Sequence, residues 1–272
     1  MSATAGWGPL LRVRTTIRRR AAVGRPPVRA EHRSFCGSRR RSGYSAVVPD
    51  VPAPPAPDPV PHDPVQHDAI LLAGGRATRL GGIDKTALVR RGTTLLGHAL
   101  AAASAAERIV VVGARSHDEL PVHVVRARED PPFAGPVAAL GAAFAALDTG
   151  ATFTLVLACD LVTPEDATAR LLTTAPATAA QETAAQTTAA QATAPRDGLI
   201  AVDDDGRRQP LLALYRSAAL REAVQRLRDE SGSLAGQSMR RLLAPLDLVE
   251  VPVPSALCAD VDSAEDAARL LD

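Results

Sequence analysis

Cysteine is scarce in this chain and scattered. Cys36, Cys159 and Cys258 are its only three, with no Cys-x-x-Cys pair and no histidine at metal-ligand spacing, which excludes a disulfide framework and a zinc site. A reducing, cytoplasmic setting is the expectation. Long apolar runs are missing too: the longest uncharged stretch, 133–147, contains Gly135, Pro136 and Gly141 and stops at Asp148, too short for a bilayer, which needs about 20 residues. Aromatics are 3% of the chain, and net charge is almost absent, with 31 Lys+Arg against 30 Asp+Glu. That balance hides an asymmetry. Residues 1–44 carry eleven Arg and one acid, Glu31, leaving 20 basic and 29 acidic residues for the rest. A basic arm joined to an acidic body excludes a uniformly basic nucleic-acid binder.

The 272 residues suffice for one large domain or two small ones. Residues 1–66 do not read as a fold: Arg-rich runs lie among Ser, Gly and Pro without apolar periodicity, and 49–64 place eight prolines in sixteen residues, a polyproline-like spacer. An Arg- and Ser-rich composition also suits a transit peptide or a tether for anionic partners, but the plainest reading is a disordered extension. A second interruption, 173–195, holds ten Ala, seven Thr and three Gln. It offers no large apolar face and reads as a low-complexity loop inserted in the domain.

Between these segments, strand and helix patterns alternate. Strands are expected over 68–73, 108–113, 122–126, 153–159, 198–202, 211–215 and 248–253, and helices over 94–106, 137–147, 164–172, 216–228, 238–243 and 263–271. The alternation implies a mostly parallel sheet covered on both faces, with a ligand beyond the carboxyl ends of its strands.

The strongest motif follows the first strand: Leu72-Ala-Gly-Gly-Arg-Ala-Thr-Arg-Leu-Gly-Gly-Ile-Asp-Lys85. Gly74 and Gly75, then Gly81 and Gly82, allow backbone to approach an anion closely. Successive N–H groups can cradle phosphates, with Arg79 and Lys85 adding positive charge. The loop is neither a Walker A nor a dinucleotide fingerprint. Lys85 is also the only lysine, beside 30 arginines, and a compact ammonium suits a point contact with phosphate. Asp160 follows an apolar strand and would emerge at the ligand edge, where a carboxylate suits Mg2+. Asp160 could instead cap the helix opening at Pro164, and Asp262, a candidate second metal ligand, reads equally well as a helix cap.

These residues closely resemble the signature of the MobA-like nucleotidyltransferases, in particular the molybdenum cofactor guanylyltransferase branch. The resemblance extends over 67–272: Arg128-Glu-Asp-Pro-Pro-Phe-Ala-Gly-Pro-Val-Ala-Ala-Leu140 is similar to the family's acidic residue and Gly-Pro-Leu-Ala-Gly segment, and Ala158-Cys-Asp-Leu161 to its metal motif. Gln209-Pro-Leu-Leu-Ala-Leu-Tyr215 and Asp260-Val-Asp-Ser-Ala-Glu-Asp266 match later landmarks. The resemblance implies a GT-A/MobA-like, Rossmann-like three-layer α/β domain with a mostly parallel sheet. It implies a nucleotide held by Leu72, Ala73, Gly74, Gly75, Lys85, Asp130 and Asp160, with Asp160 also binding Mg2+. Gly113 stands where the family can place an Asn, so only a backbone contact remains there. Val162 replaces a usual proline, and Ala139 the second glycine of Gly-Pro-Leu-Ala-Gly.

The implied reaction transfers GMP from GTP to the phosphate of molybdopterin and expels pyrophosphate. Positioning and charge neutralisation by Lys85, Arg79 and Mg2+ would carry it. Neither His98 nor His117 is needed as a base, and Cys159 reads as a packing residue. GTP and molybdopterin are the expected partners, along with other proteins of molybdenum cofactor synthesis or molybdoenzyme maturation. The alternatives are a relative using CTP or another phosphorylated acceptor, and a non-catalytic nucleotide-binding module of the same fold.

Overall fold

The structure is a computed structural model that describes residues 65–75, 84–115, 119–147, 150–188 and 196–271, with side chains of 177–188 excepted. The expected extension lies, up to residue 64, outside the described residues, as do Arg79, Gly81, Gly82, His117 and 189–195.

Nine strands and six helices are described: β1 His67–Leu72, β2 Val89–Arg90, β3 Thr93–Thr94, α1 Leu95–Ala102, β4 Ile109–Val112, β5 Val124–Ala127, α2 Pro136–Ala146, β6 Phe153–Ala158, α3 Pro164–Thr188, β7 Gly198–Val202, β8 Arg208–Arg216, α4 Ser217–Ser231, α5 Met239–Leu243, β9 Leu248–Pro252 and α6 Ala264–Leu270. Seven strands form one sheet in the order β5-β4-β1-β6-β8-β7-β9. β1 is parallel to β4 and β6, β4 to β5 and β7 to β9, and only β8 runs antiparallel to its neighbours. The near-continuous apolar strands follow from burial on both faces. Along β1, Ile70 and Leu72 face a core completed by α2, α4 and α5, while Ala69 and Leu71 face a second core with α1 and α3. This is a three-layer Rossmann-like α/β fold.

Local chemistry explains the helix starts. Thr94 caps α1 by accepting from the Gly97 N–H (3.0 Å), and Pro136 opens α2, where its missing N–H costs nothing. Ser263 and Asp266 form a reciprocal capping box on α6. Asp262, read as a possible cap, therefore does not hold that position.

One expectation is corrected. The loop expected from Thr173 is helical to Thr188, as a continuation of α3. Alanine has the highest helix propensity, and Leu171 and Ala175 carry the buried face onward, so no broad apolar stripe is needed. The Thr173 and Thr174 hydroxyls donate back to the carbonyls of Ala169 and Arg170 at 2.9 and 2.7 Å. Pro176 lies inside the helix, against a local penalty of about 3 kcal/mol. The β2–β3 hairpin, unexpected from the apolar pattern, turns through Arg91 and Gly92, both at positive φ.

Gly198 links β7 to β8 at close quarters. Its φ is +150°, and a Cβ there would lie 2.5 Å from the Leu214 carbonyl oxygen and 2.8 Å from the Tyr215 Cα. Gly198→Ala is expected to cost about 1–3 kcal/mol, read as a lower urea midpoint with an unchanged slope. An unchanged midpoint would show that the strands can separate to admit a methyl group.

Candidate active site

The parallel strands β1, β4 and β6 end side by side at Leu72, Val112 and Ala158. A cavity of about 250 Å³ opens over these ends. Leu72, Gly74 and Gly75 line it from β1, Val112 from β4, and Ala158 and Asp160 from β6, with Glu129 and Phe133 from the loop after β5 and Gly135, Pro136 and Ala139 from the start of α2. The first turn of α2 adds backbone N–H groups without helical partners, and such a terminus favours anions. Gly113 lies directly behind Gly74. At its φ of +82°, a Cβ would come within 2.7 Å of the Gly74 Cα and 2.8 Å of its nitrogen.

Beyond Asp160 the chain is met by its own C-terminal segment. Val162 N–H donates to the Ala259 carbonyl at 3.0 Å and Val261 N–H to the Asp160 carbonyl at 3.2 Å, with an antiparallel bridge between Leu161 and Asp260. Val162, the residue in place of the family's proline, packs with Leu95 and Val261 and helps fasten this segment. Carboxylate oxygens of Asp160, Asp260 and Asp262 consequently gather within 4.8 Å of one another. Lys85 faces them, its Nζ 3.3 Å from Asp160 Oδ2 and 2.5 Å from Asp262 Oδ1.

The electrostatics follow. Burial of Lys85 opposes its charged form, but the hydrogen bond it donates to Asp262 and the charges of Asp160 and Asp262 outweigh it and raise its pKa above the ordinary lysine value. Partial burial, then the charges of Asp160 and Asp262, raise the pKa of Asp260. Three carboxylates against one ammonium, all hard oxygen donors, fit a divalent cation such as Mg2+, with Asp160, Asp260 and Asp262 as the residues that could hold it.

Lys85 is presented on a single 3-10 turn, Lys85–Ala87. The Asp84 carboxylate fixes that turn by accepting from the Thr86 N–H at 3.0 Å and the Thr86 hydroxyl at 2.7 Å. Its other oxygen lies 2.7 Å from Arg115 Nε, which comes from the loop after β4.

Of the residues read from the sequence, Leu72, Gly74, Gly75 and Asp160 line the cavity, while Lys85 and Asp262 meet Asp160 at its edge. Ala73 is turned into the core beside α1 and Gly113 backs the loop. Arg79 is outside the described residues. Asp130 is exposed and does not line the cavity; its neighbour Glu129, 7% exposed, does. Glu129 Oε1 accepts from the Phe133 N–H at 2.9 Å, whereas Oε2 is buried without a hydrogen-bond partner. Sequence reasoning missed Glu129 and Asp260. Asp260 was signalled by the Asp-Val-Asp alternation, which in an extended segment puts both carboxylates on one side. Nothing in Arg-Glu-Asp-Pro-Pro distinguishes Glu129 from Asp130. His98 is remote from the cavity and ties α1 to α3 through Glu165 (2.6 Å), and Cys159 is buried in the core beside α1 and α3.

The raised pKa of Asp260 gives a signed prediction. The stability it contributes is complete below the ordinary aspartate pKa and is lost as the pH rises through the raised value. At neutral pH and without metal, Asp260→Asn is therefore expected to raise the Tm. Mg2+ is expected to raise the Tm of the unaltered chain at neutral pH, and by less in the variant. Equal Mg2+ responses would remove Asp260 from the cation site.

Among the described residues, no helix is long and apolar enough to cross a membrane. Comparison with curated proteins gives no match. Solved structures do match in fold. Molybdopterin-guanine dinucleotide biosynthesis protein A from Archaeoglobus fulgidus is 20% identical with a TM-score of 0.51, covering 75% of this chain and 96% of that one. Rv0371c from Mycobacterium tuberculosis H37Rv is 20% identical with a TM-score of 0.56, covering 77% and 99%. The 2-C-methyl-D-erythritol 4-phosphate cytidylyltransferase of Francisella tularensis is 12% identical with a TM-score of 0.55, covering 75% and 97%. The MobA-like NTP transferase domain family matches residues 69–251, and the chain belongs to that family.

Proposed function

We propose that this chain is a guanylyltransferase that moves GMP from GTP to the terminal phosphate of molybdopterin. A phosphate oxygen of the acceptor attacks the α-phosphorus, the bond from that phosphorus to the bridging β-oxygen breaks, and pyrophosphate leaves. The acceptor phosphate needs no general base. Gly74, Gly75 and the first turn of α2 hold the phosphates through N–H groups, and Lys85 offsets charge as it shifts toward the leaving group. Asp160, Asp260 and Asp262 hold Mg2+, which when bound supplies charge neutralisation on the phosphates. Arg79 is a further cation of the same loop.

The observation that carries the choice of GTP is the Glu129 carboxylate. It is buried in the cavity wall, with one oxygen held by the Phe133 N–H and the other without a partner. A carboxylate accepts hydrogen bonds and, when ionised, cannot donate. The pairing edge of guanine offers two adjacent donors, N1–H and the N2 amine, whereas cytosine offers only its N4 amine beside an acceptor ring nitrogen that would face the carboxylate unfavourably. The acceptor assignment draws on the motif resemblance across 67–272.

The test is pyrophosphate release with Mg2+ and molybdopterin, comparing GTP, CTP and ATP. GTP is expected to be preferred, and Asp160→Ala to lower turnover by roughly a hundredfold or more. Glu129→Gln is expected to reduce the preference for GTP over CTP by about tenfold or more. A preference for CTP would move the chain to the cytidylyl branch. Binding of GTP without release by any triphosphate would indicate another acceptor or a binding module.

A further inference from the structure

Outside the N-terminal 66 residues the chain has four aromatic side chains: Phe133, Phe144, Phe153 and Tyr215. Three are structural. Tyr215 is wholly buried, with its hydroxyl donating to the Pro210 carbonyl at 2.9 Å. Phe144 is 7% exposed under the Arg221 guanidinium, and Phe153 lies partly buried beneath Arg216. Phe133 differs. It is 50% exposed and lines the cavity with Glu129, Gly74 and Gly135.

Its backbone is also unusual. Phe133 has φ +61°, in the left-handed region, which is costly for a residue with a Cβ relative to the right-handed one. Glycine would carry that conformation without the cost. The loop keeps a large apolar ring where burial gives little return and the backbone favours its removal. Strain of this kind concentrates at ligand clamps, where surrounding contacts over-determine it. One contact that holds it is the hydrogen bond from Phe133 N–H to Glu129 Oε1 (2.9 Å), so the backbone of Phe133 and the carboxylate are placed together.

We infer that Phe133 is a base-stacking residue of the nucleotide pocket and contributes to selection of purine over pyrimidine triphosphates. This rests on the nucleotidyltransferase reading above and deepens it. A planar base laid on the ring covers apolar surface now open to water, and its pairing edge then falls to Glu129 in the same wall. A purine presents the larger face, so stacking favours it over a pyrimidine. The carboxylate separates guanine from other bases by hydrogen bonding, while the ring separates bases by size.

The experiment is calorimetric titration of the full chain and of Phe133→Ala, Phe133→Gly and Phe133→Trp with GTP, CTP and tripolyphosphate, alongside thermal unfolding of each. Phe133→Ala and Phe133→Gly are expected to weaken GTP about tenfold or more, to weaken CTP less, and to leave tripolyphosphate unchanged. Phe133→Trp is expected to retain GTP affinity. Phe133→Gly is expected to unfold at or above the temperature of the unaltered chain because strain is relieved, the reverse of what loss of a packing residue would give. Unchanged GTP affinity in Phe133→Gly, or an equal loss for tripolyphosphate, would overturn the stacking role and leave the nucleotidyltransferase reading intact. Failure of the unaltered chain to bind any nucleotide would overturn both.

Discussion

The site depends on one ammonium group facing three carboxylates. Asp160, Asp260 and Asp262 crowd together within 4.8 Å, and Lys85 is the cation that meets them. Partial burial and like charges at that separation both disfavour ionisation, and the raised pKa of Asp260 registers the cost. The rest of the site arranges itself around that tension: Asp84 fixes the turn that presents the lysine, and the pairing of 160–162 with 259–261 presents the acids. An isolated ion pair at a surface contributes little. Here the excess of negative charge leaves the cluster suited to a further cation at one edge of the sheet.

The sheet supplies that edge because its central strands are parallel. β1, β4 and β6 point their carboxyl ends the same way, so the loops leaving them converge. Gly113 lets two of these loops lie closer than a side chain there would permit, and Glu129 and Phe133 close the wall from the adjoining edge. Lys85 and two further acids gather about Asp160, while an aromatic ring and a carboxylate, Phe133 and Glu129, line the same cavity.

Much of this was legible in the sequence because both relevant periodicities are local. The apolar runs at 68–73 and 153–159 read as buried strands, which they are, and the single lysine pointed to the edge of the sheet where Lys85 meets Asp160. What stayed hidden depended on contacts distant along the chain. Asp260 joins the acids only because its segment pairs with residues a hundred positions earlier. The choice of Glu129 over Asp130 rests on which of two adjacent side chains the loop turns inward. The helix beyond Thr173 was obscured for another reason: a segment can be helical from propensity and a narrow buried face without the broad apolar stripe that a pattern search requires.

The place of Asp260 and Asp262 in the chain has a consequence for a shortened chain. All seven strands of the main sheet are complete by Pro252, yet two of the three clustered carboxylates come later. A polypeptide trimmed by a protease after β9 would retain every strand but lack two of the three clustered acids. Such a product would share the architecture and not the chemistry.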